Sequence, residues 1–199
     1  MPTYRKGKKR FFYIHIPRTA GRFIYENIIR NGFYPEQDPF KMMEGIEVAH
    51  FPASLYKKYL DVEGIPHVAI VRNPIDRFIS CSIFLKRMYG DCQELLEDSM
   101  MFSSMLDNFP LSEGVNWFRP QMDFISDETQ LWKLEDGFGE DFEEWISGVV
   151  GVEIKMKKVP YKKLTTDEST KLEKSAKLID NITSIYRKDI EQLYPELAA

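Results

Sequence analysis

Apolar residues along this chain fall into short uninterrupted runs and into longer segments with helical spacing. Two runs, FFYIHI at 11–16 and HVAIV at 67–71, carry no acidic or basic side chain other than histidine. Such runs predict central strands that are covered on both faces. Each run precedes a segment whose apolar residues recur every three or four positions. This spacing predicts one helix over 21–30 and a second that begins at Pro74, a residue suited to a first helical turn.

The remaining patterns are weaker and continue the same alternation of strands and helices. They predict a strand over 46–50, a helix over 54–60, a helix then a loop over 91–115, a bend at Pro120, a strand over 129–136, a helix over 140–149 and a long helix over about 165–193. Thr165 and Glu168 form the capping box that would begin the last helix. Strands that alternate with helices are typical of layered α/β domains.

We therefore predict an α/β protein with three layers, in which helices flank a mostly parallel central sheet. The 199 residues suffice for one well-buried core, so a single domain over 1–199 is expected. The first ten residues, MPTYRKGKKR, are polar and basic, and we interpret them as a tail before the first strand.

Composition and charge exclude several classes of function. The formal net charge of −4 and the pI of about 5.5 argue against binding of nucleic acid by the whole surface. No apolar run approaches eighteen residues and the N-terminus has no apolar signal region, so we expect no membrane insertion and a cytoplasmic location. Two cysteines and three histidines show no metal-ligand spacing, which predicts free thiols and no metal.

The turn PRTAGR, residues 17–22, lies between the first predicted strand and its helix. A small-residue turn that leads into a helix directs backbone N–H groups and the positive end of the helix dipole toward one point. The turn adds the guanidinium groups of Arg18 and Arg22 and the hydroxyl of Thr19. These groups predict a local anion site.

A second candidate anion site follows the HVAIV strand, where the chain continues as Arg72, Asn73 and Pro74. In the predicted helix, Arg77 and Ser80 lie side by side because they are three residues apart. Ligands collect at the carboxyl ends of parallel strands, where both turns are expected. Two such sites suit a ligand that carries phosphate groups at two ends.

FFYIHIPRTAGRF resembles the 5'-phosphosulfate loop, near hxPKTGGTS, of sulfotransferases that use 3'-phosphoadenosine 5'-phosphosulfate (PAPS). HVAIVRNPIDRFISCSIFLKR is similar to their 3'-phosphate motif, RxPxxRxxS. WKLEDGFGEDFEEWI and the closing TTDE to YRKDIEQLYP segment resemble later family motifs in the same order. The resemblance covers most of the chain outside 91–115, and it is closest to the branch that contains heparan sulfate 2-O-sulfotransferase.

The resemblance implies a P-loop NTPase-like sulfotransferase fold, PAPS as donor, adenosine 3',5'-bisphosphate (PAP) as product and a hydroxyl-bearing glycan or small molecule as acceptor. The residues it places at the 5'-phosphosulfate are Arg18, Thr19, Ala20, Gly21, Arg22 and Phe23. It places Arg72 and Ser80 at the 3'-phosphate, and Lys162 and Lys163 are candidates there, although a solvated lysine-rich loop is the favoured alternative. Ala20, Arg22 and Phe23 depart from the family pattern.

Catalysis by this family needs a cation beside the leaving oxygen and a base for the acceptor hydroxyl. Arg18 stands where the family has Lys, and it can act as an electrostatic clamp but not as a proton donor. The resemblance places His50 as the base, while a structural hydrogen-bonding role stays open. Glu44 and Glu47 are the alternative bases. His15 is interpreted as a residue that packs behind the site or supports its side chains, and His67 as a structural residue.

Other interpretations remain open. A P-loop nucleotide kinase would share the fold, but it requires GxxxxGK[ST], and PRTAGRF lacks both the Lys and the hydroxyl at those places. A nucleotide-binding or ligand-binding module that retains the fold without catalysis is the other alternative. The aromatic stretch at Trp117 and Phe118, followed by Arg119 and Gln121, could line a pocket but is more typical of a core.

Overall fold

The computed structural model describes residues 2–89, 113–157 and 176–197. Its strands are β1 (Thr3–Lys6), β2 (Lys9–Ile14), β3 (Tyr34–Pro35), β4 (Met42–Met43), β5 (Ile46–Glu47), β6 (His67–Val71) and β7 (Thr129–Lys133). Its helices are α1 (Gly21–Arg30), α2 (Ala53–Tyr59), α3 (Pro74–Tyr89), α4 (Glu113–Asn116), α5 (Glu140–Val150), α6 (Ala176–Ile185) and α7 (Arg187–Leu193). Among the described helices, none is long and apolar enough to cross a membrane.

The central sheet has five strands in the order β3-β1-β2-β6-β7. The neighbours β2, β6 and β7 are parallel, while β1 and β3 add an antiparallel edge. The fold is thus mixed α/β with a mostly parallel centre, as predicted. Because β2 and β6 are adjacent and parallel, their carboxyl ends, and the two turns that follow, lie at the same edge of the sheet.

Helices cover both faces of this sheet, because side chains alternate along each strand. Phe12 and Ile14 of β2 pack into one core cluster with residues of α2. Phe11 and Tyr13, one position earlier in each case, pack into a second cluster with residues of α1 and α5. The sheet therefore lies between two layers of helices, with one core cluster on each face.

Several predicted elements are confirmed closely. The helix over 21–30 and the strand over 67–71 have the predicted bounds, and α3 begins at Pro74. The helices predicted over 54–60 and 140–149 match α2 and α5 to within one residue. The strand predicted over 129–136 ends at Lys133, and its last residues form a 3-10 turn over Leu134–Asp136.

The interpretation of the first ten residues as a tail is wrong. Residues 3–6 form β1, which returns through Gly7 to pair with β2. Thr3 and Tyr4 are fully buried, and the Tyr4 ring stacks on Phe11 with 5.3 Å between ring centroids. The burial of Thr3 and Tyr4 therefore stabilises a strand in this segment, although most of its other residues are basic.

Three other segments differ from prediction. The first strand ends at Ile14, so His15 follows it, because the Ile16 N–H already turns back to the Ile14 carbonyl. The strand predicted over 46–50 is a two-residue strand in a separate hairpin with β4, followed by a 3-10 turn over Val48–His50. The last predicted helix is broken between α6 and α7. Its capping box and most of 91–115 lie outside the described residues.

Candidate functional site

The chain between β2 and α1 adopts an unusual backbone. Arg18 and Ala20 both have positive φ angles, 70° and 64°, which residues with a Cβ rarely adopt. The buried Thr19 hydroxyl donates to the Ile16 carbonyl oxygen at 2.8 Å, so it braces the turn from within. That hydroxyl was expected to face a ligand, and the structure uses it inside the turn.

The first turn of α1 directs unsatisfied donors at this loop. Ala20 occupies the N-cap position without a side-chain cap hydrogen bond, and the first turn has no acidic residue. The first N–H groups of a helix have no acceptor within the helix, and the helix dipole makes this end positive. These features are those of a helix N-terminus that can accept an anion, and anion binding at this loop stays a prediction.

Side chains from the two predicted anion corners meet. The Arg18 Nε donates to Ser80 Oγ at 3.0 Å, and the Arg72 Nη1 donates to the Arg18 carbonyl oxygen at 3.3 Å. The Arg18 guanidinium also lies over the Phe84 ring, 4.6 Å from its centroid. Arg18, Ser80 and Arg72, separated by up to 62 positions in sequence, thus form one polar cluster.

Buried partners hold Arg72 in place. Gln121, which is fully buried, accepts from the Arg72 N–H at 2.9 Å and donates its amide to the Arg72 carbonyl oxygen at 2.8 Å. The next N–H, of Asn73, donates to Glu135 at 2.7 Å. Asn73 Oδ1 in turn accepts from the Ile75 N–H at 3.0 Å and so caps α3. Gln121 is therefore a scaffold for this corner rather than a pocket wall.

Arg77 lies beneath the loop and is fully buried. It donates to the carbonyl oxygens of Pro17 at 3.0 Å, Trp117 at 2.7 Å and Arg119 at 2.8 Å. The sequence placed Arg77 beside Ser80 as a second possible phosphate ligand. Its Nε and Nη2 instead donate to the backbone, and its buried Nη1 has no hydrogen-bond partner among the described residues. Trp117 and Phe118 belong to the core cluster around α6, in agreement with the core interpretation.

His50 is the last residue of the 3-10 turn over Val48–His50, and it reaches the loop through His15. Its Nδ1 is 3.6 Å from Glu47 Oε2, and its carbonyl oxygen accepts from the Asn116 side chain at 2.7 Å. The centroids of the His50 and His15 rings are 4.8 Å apart. The pKa of His15 lies well below its usual range, because desolvation of the partly buried ring and the neighbouring His50 both disfavour its charged form.

The other candidate bases have separate partners. Glu44 accepts a hydrogen bond from the Tyr59 hydroxyl on α2. His67 is buried in β6 and its Nε2 pairs with the Val62 carbonyl oxygen at 2.8 Å, which fits the structural role predicted for it. Glu47 and His50 are thus the pair that the hairpin brings to the loop. The structure also brings the His15 ring to His50 and to Gly21, and the sequence predicted a packed or supporting role for this histidine.

The remaining predicted ligands are less closely tied to the cluster. Arg22 is exposed on α1, and the Phe23 ring stacks on Phe138 with 4.9 Å between centroids. Lys162 and Lys163 lie outside the described residues. The chain that leads toward them is fixed to α1, since the Lys157 N–H donates to Asn27 at 2.7 Å.

This arrangement can bind an anion at a helix N-terminus, clamp it with guanidinium groups and accept a proton nearby. Within the described residues, no group of His, Cys, Asp or Glu side chains is placed to hold a metal ion. In comparisons with known proteins, the chain matches no family model, no curated protein and no solved structure.

Proposed function

We propose that this chain is a sulfotransferase that moves a sulfuryl group from PAPS to a hydroxyl of a carbohydrate or small-molecule acceptor. The observation that carries the proposal is the contact of the two anion corners through Arg18, Ser80 and Arg72. A ligand with phosphate groups at two positions can reach both corners at once. A ligand with one phosphate group would use only half of this cluster.

The residues of the cluster suit the two ends of such a donor. The uncapped first turn of α1 and the Arg18 guanidinium would hold the 5'-phosphosulfate. Arg72 would hold the 3'-phosphate. The Ser80 hydroxyl, which accepts a hydrogen bond from Arg18 in the protein without ligand, would donate to the same phosphate. Because Arg18 touches both corners, binding at one corner changes the surroundings of the other.

PAPS, when bound, supplies the sulfuryl group and the leaving phosphate. The Arg18 guanidinium neutralises the negative charge that grows on the phosphate oxygen as its bond to sulfur breaks. His50 accepts the proton of the acceptor hydroxyl as the hydroxyl oxygen bonds to sulfur. Glu47 lies at His50 Nδ1, so it orients the ring and stabilises the positive charge that the proton brings.

The proposal is tested first by ligand preference. Thermal-shift titration should show a larger stabilisation by PAP than by ATP with magnesium, because bound ligand stabilises the folded state by mass action. Arg72→Ala should lose at least about tenfold in PAP affinity, corresponding to about 1.4 kcal/mol. Arg30→Ala, which removes an exposed guanidinium at the far end of α1, is the matched control and should bind as the wild type does.

Transfer of labelled sulfate from PAPS to a panel of glycans and small alcohols tests the reaction itself. His50→Ala should reduce the rate by about a hundredfold or more while PAP still binds. An unchanged rate would remove His50 as the base. Binding of PAP with no transfer to any acceptor would leave a non-catalytic nucleotide-binding module, and a preference for ATP with magnesium would indicate a kinase.

A further inference from the structure

His15 lies at the point where three parts of the site converge. Its ring stacks on Tyr13 with 6.0 Å between centroids and lies 4.8 Å from the His50 ring. A Cβ added to Gly21 would fall 1.8 Å from His15 Nε2, so the ring lies directly on the backbone of the first residue of α1.

His15 lies between the two core clusters that cover opposite faces of the sheet. Tyr13 belongs to the core cluster that packs against α1, while Val48 and Phe51, on either side of His50 in sequence, belong to the cluster on the opposite face of the sheet. His15 follows the last residue of β2, where the sheet no longer separates these layers. Its ring therefore fills the space between Gly21, the first residue of α1, and the 3-10 turn that ends at His50.

We propose that His15 is a positioning residue, which holds the His50 ring beside the PRTAGR loop by occupying the space between His50 and Gly21. This role rests on the proposed function for its catalytic meaning, but the packing that it describes exists in the protein alone. Glu47 Oε2 lies 3.6 Å from His50 Nδ1, and the His15 ring supplies a second contact from the loop side. Two contacts restrict a side chain with two torsions far more than one does.

The ring acts through its shape rather than its charge. Burial and the neighbouring His50 lower the pKa of His15 well below 6.5, so the ring is neutral at physiological pH. A neutral ring places no positive charge beside His50 to oppose the proton that His50 would accept, and Arg18 is the permanent cation of this part of the site. His15 thus fixes geometry without weakening the base.

The deciding measurement is the side-chain conformation of His50 in protein without ligand, from NMR coupling constants. We expect one χ1 rotamer in the wild type and averaging between rotamers in His15→Ala. Gly21→Ala, whose added methyl group displaces the His15 ring, should produce the same averaging. This second variant decides the question if His15→Ala does not fold. His67→Ala, which removes the buried histidine of β6, should leave the His50 rotamer unchanged.

Kinetics supply a second readout. His15→Ala should lower kcat about tenfold or more with KM for PAPS within about twofold, and His15→Gln, which retains bulk and a polar end, should recover part of kcat. A single His50 rotamer in both His15→Ala and Gly21→Ala overturns the positioning role, whatever the kinetics. If the two variants show the expected averaging of the His50 rotamer but the wild type transfers no sulfate, the proposed function is refuted and the positioning role stands.

Discussion

At the scale of single residues, Gly21 determines whether the loop and the histidine pair can coexist. The Gly21 backbone lies against the His15 ring, and an added Cβ would overlap all three nearest ring atoms, at 1.8 to 2.4 Å. The other surroundings of Gly21 do not demand glycine, since it begins a regular helix without a positive φ. The close approach of His15 is therefore the physical reason for glycine at this position.

Gly21→Ala should destabilise the protein by about 1–3 kcal/mol, the usual range for overpacking in a well-packed site. The cost should largely disappear in the His15→Ala background, because the clashing ring is gone. Urea denaturation of the two single variants and the double variant measures this coupling. Gly148→Ala is the control, since its added Cβ meets nothing within 4 Å in α5. It should stabilise the helix by up to about 1 kcal/mol. Equal costs of Gly21→Ala in both backgrounds would contradict the packing described.

At the scale of elements, α1 follows the PRTAGR loop at its first turn and anchors residue Lys155 at its other end. Its first turn faces the loop, and its last turns hold the chain that follows α5. The Asn31 side chain donates to the Lys155 carbonyl oxygen at 2.9 Å and accepts from the Lys155 N–H at 3.0 Å. From α5, Glu143 accepts from the Met156 N–H at 2.6 Å and pairs with Lys155 at 3.1 Å. Residues 155–156, which follow α5, are therefore held in place by the side chains of Asn31 and Glu143.

This attachment should depend on pH. Donation by the Met156 N–H and the Lys155 pair lowers the pKa of Glu143 below its ordinary 4.5. A carboxyl group whose pKa is lower in the folded state stabilises that state above its unfolded pKa, and the effect is lost as pH falls through the folded pKa. We therefore expect amide protection at Met156 to be constant above about pH 5 and to fall in more acidic solution.

Hydrogen exchange followed by NMR, corrected for intrinsic rates, measures this protection. Glu143→Gln should show reduced protection at neutral pH and no further acid loss from this group. Glu144→Gln, a change at the exposed neighbouring position, should behave as the wild type does. Protection at Met156 that is independent of pH in the wild type would show that Glu143 does not anchor this segment.

At the scale of the whole molecule, the site is assembled around one buried cation. Arg77 connects the loop after β2 to the segment 117–119, and Tyr186, at the break between α6 and α7, donates to the Phe118 carbonyl oxygen at 2.6 Å. Asp189 of α7 is fully buried and accepts from the N–H groups of Gln121 and Met122 at 2.8 and 3.0 Å. The C-terminal helices thereby support both anion corners from below.

Arg77→Met should therefore destabilise the protein by about 3 kcal/mol, since three carbonyl oxygens, two of them in buried hydrogen bonds, lose their donor. PAP binding should weaken as well, because the Pro17 carbonyl oxygen, at the start of the loop, loses the donor that holds it. Guanidinium chloride denaturation measures the first effect and thermal-shift titration the second. Arg30→Ala on the protein surface should cost no more than about 0.5 kcal/mol. A small cost for Arg77→Met would show that the loop is held by other contacts.

The sequence predicted those parts of the candidate site whose position depends on residues close by in the chain. The positions of Arg18 and Arg72 follow from strands that end in short turns, and the contact of the two corners follows from adjacent parallel strands. The function of Arg77 was not predictable, because its three acceptors come from segments 40 to 60 residues away. A spacing of three from Ser80 describes the face of a helix, not what packs against that face.

By itself, the sequence determined α1, β6, α3 and α5, because apolar spacing within each segment specifies the element that can bury it. Only the tertiary structure decided the burial of β1 within a basic segment and the hairpin that carries His50 to His15. Those outcomes depend on partners distant in the chain, and the free energy of such contacts has no local pattern that a sequence reading can detect.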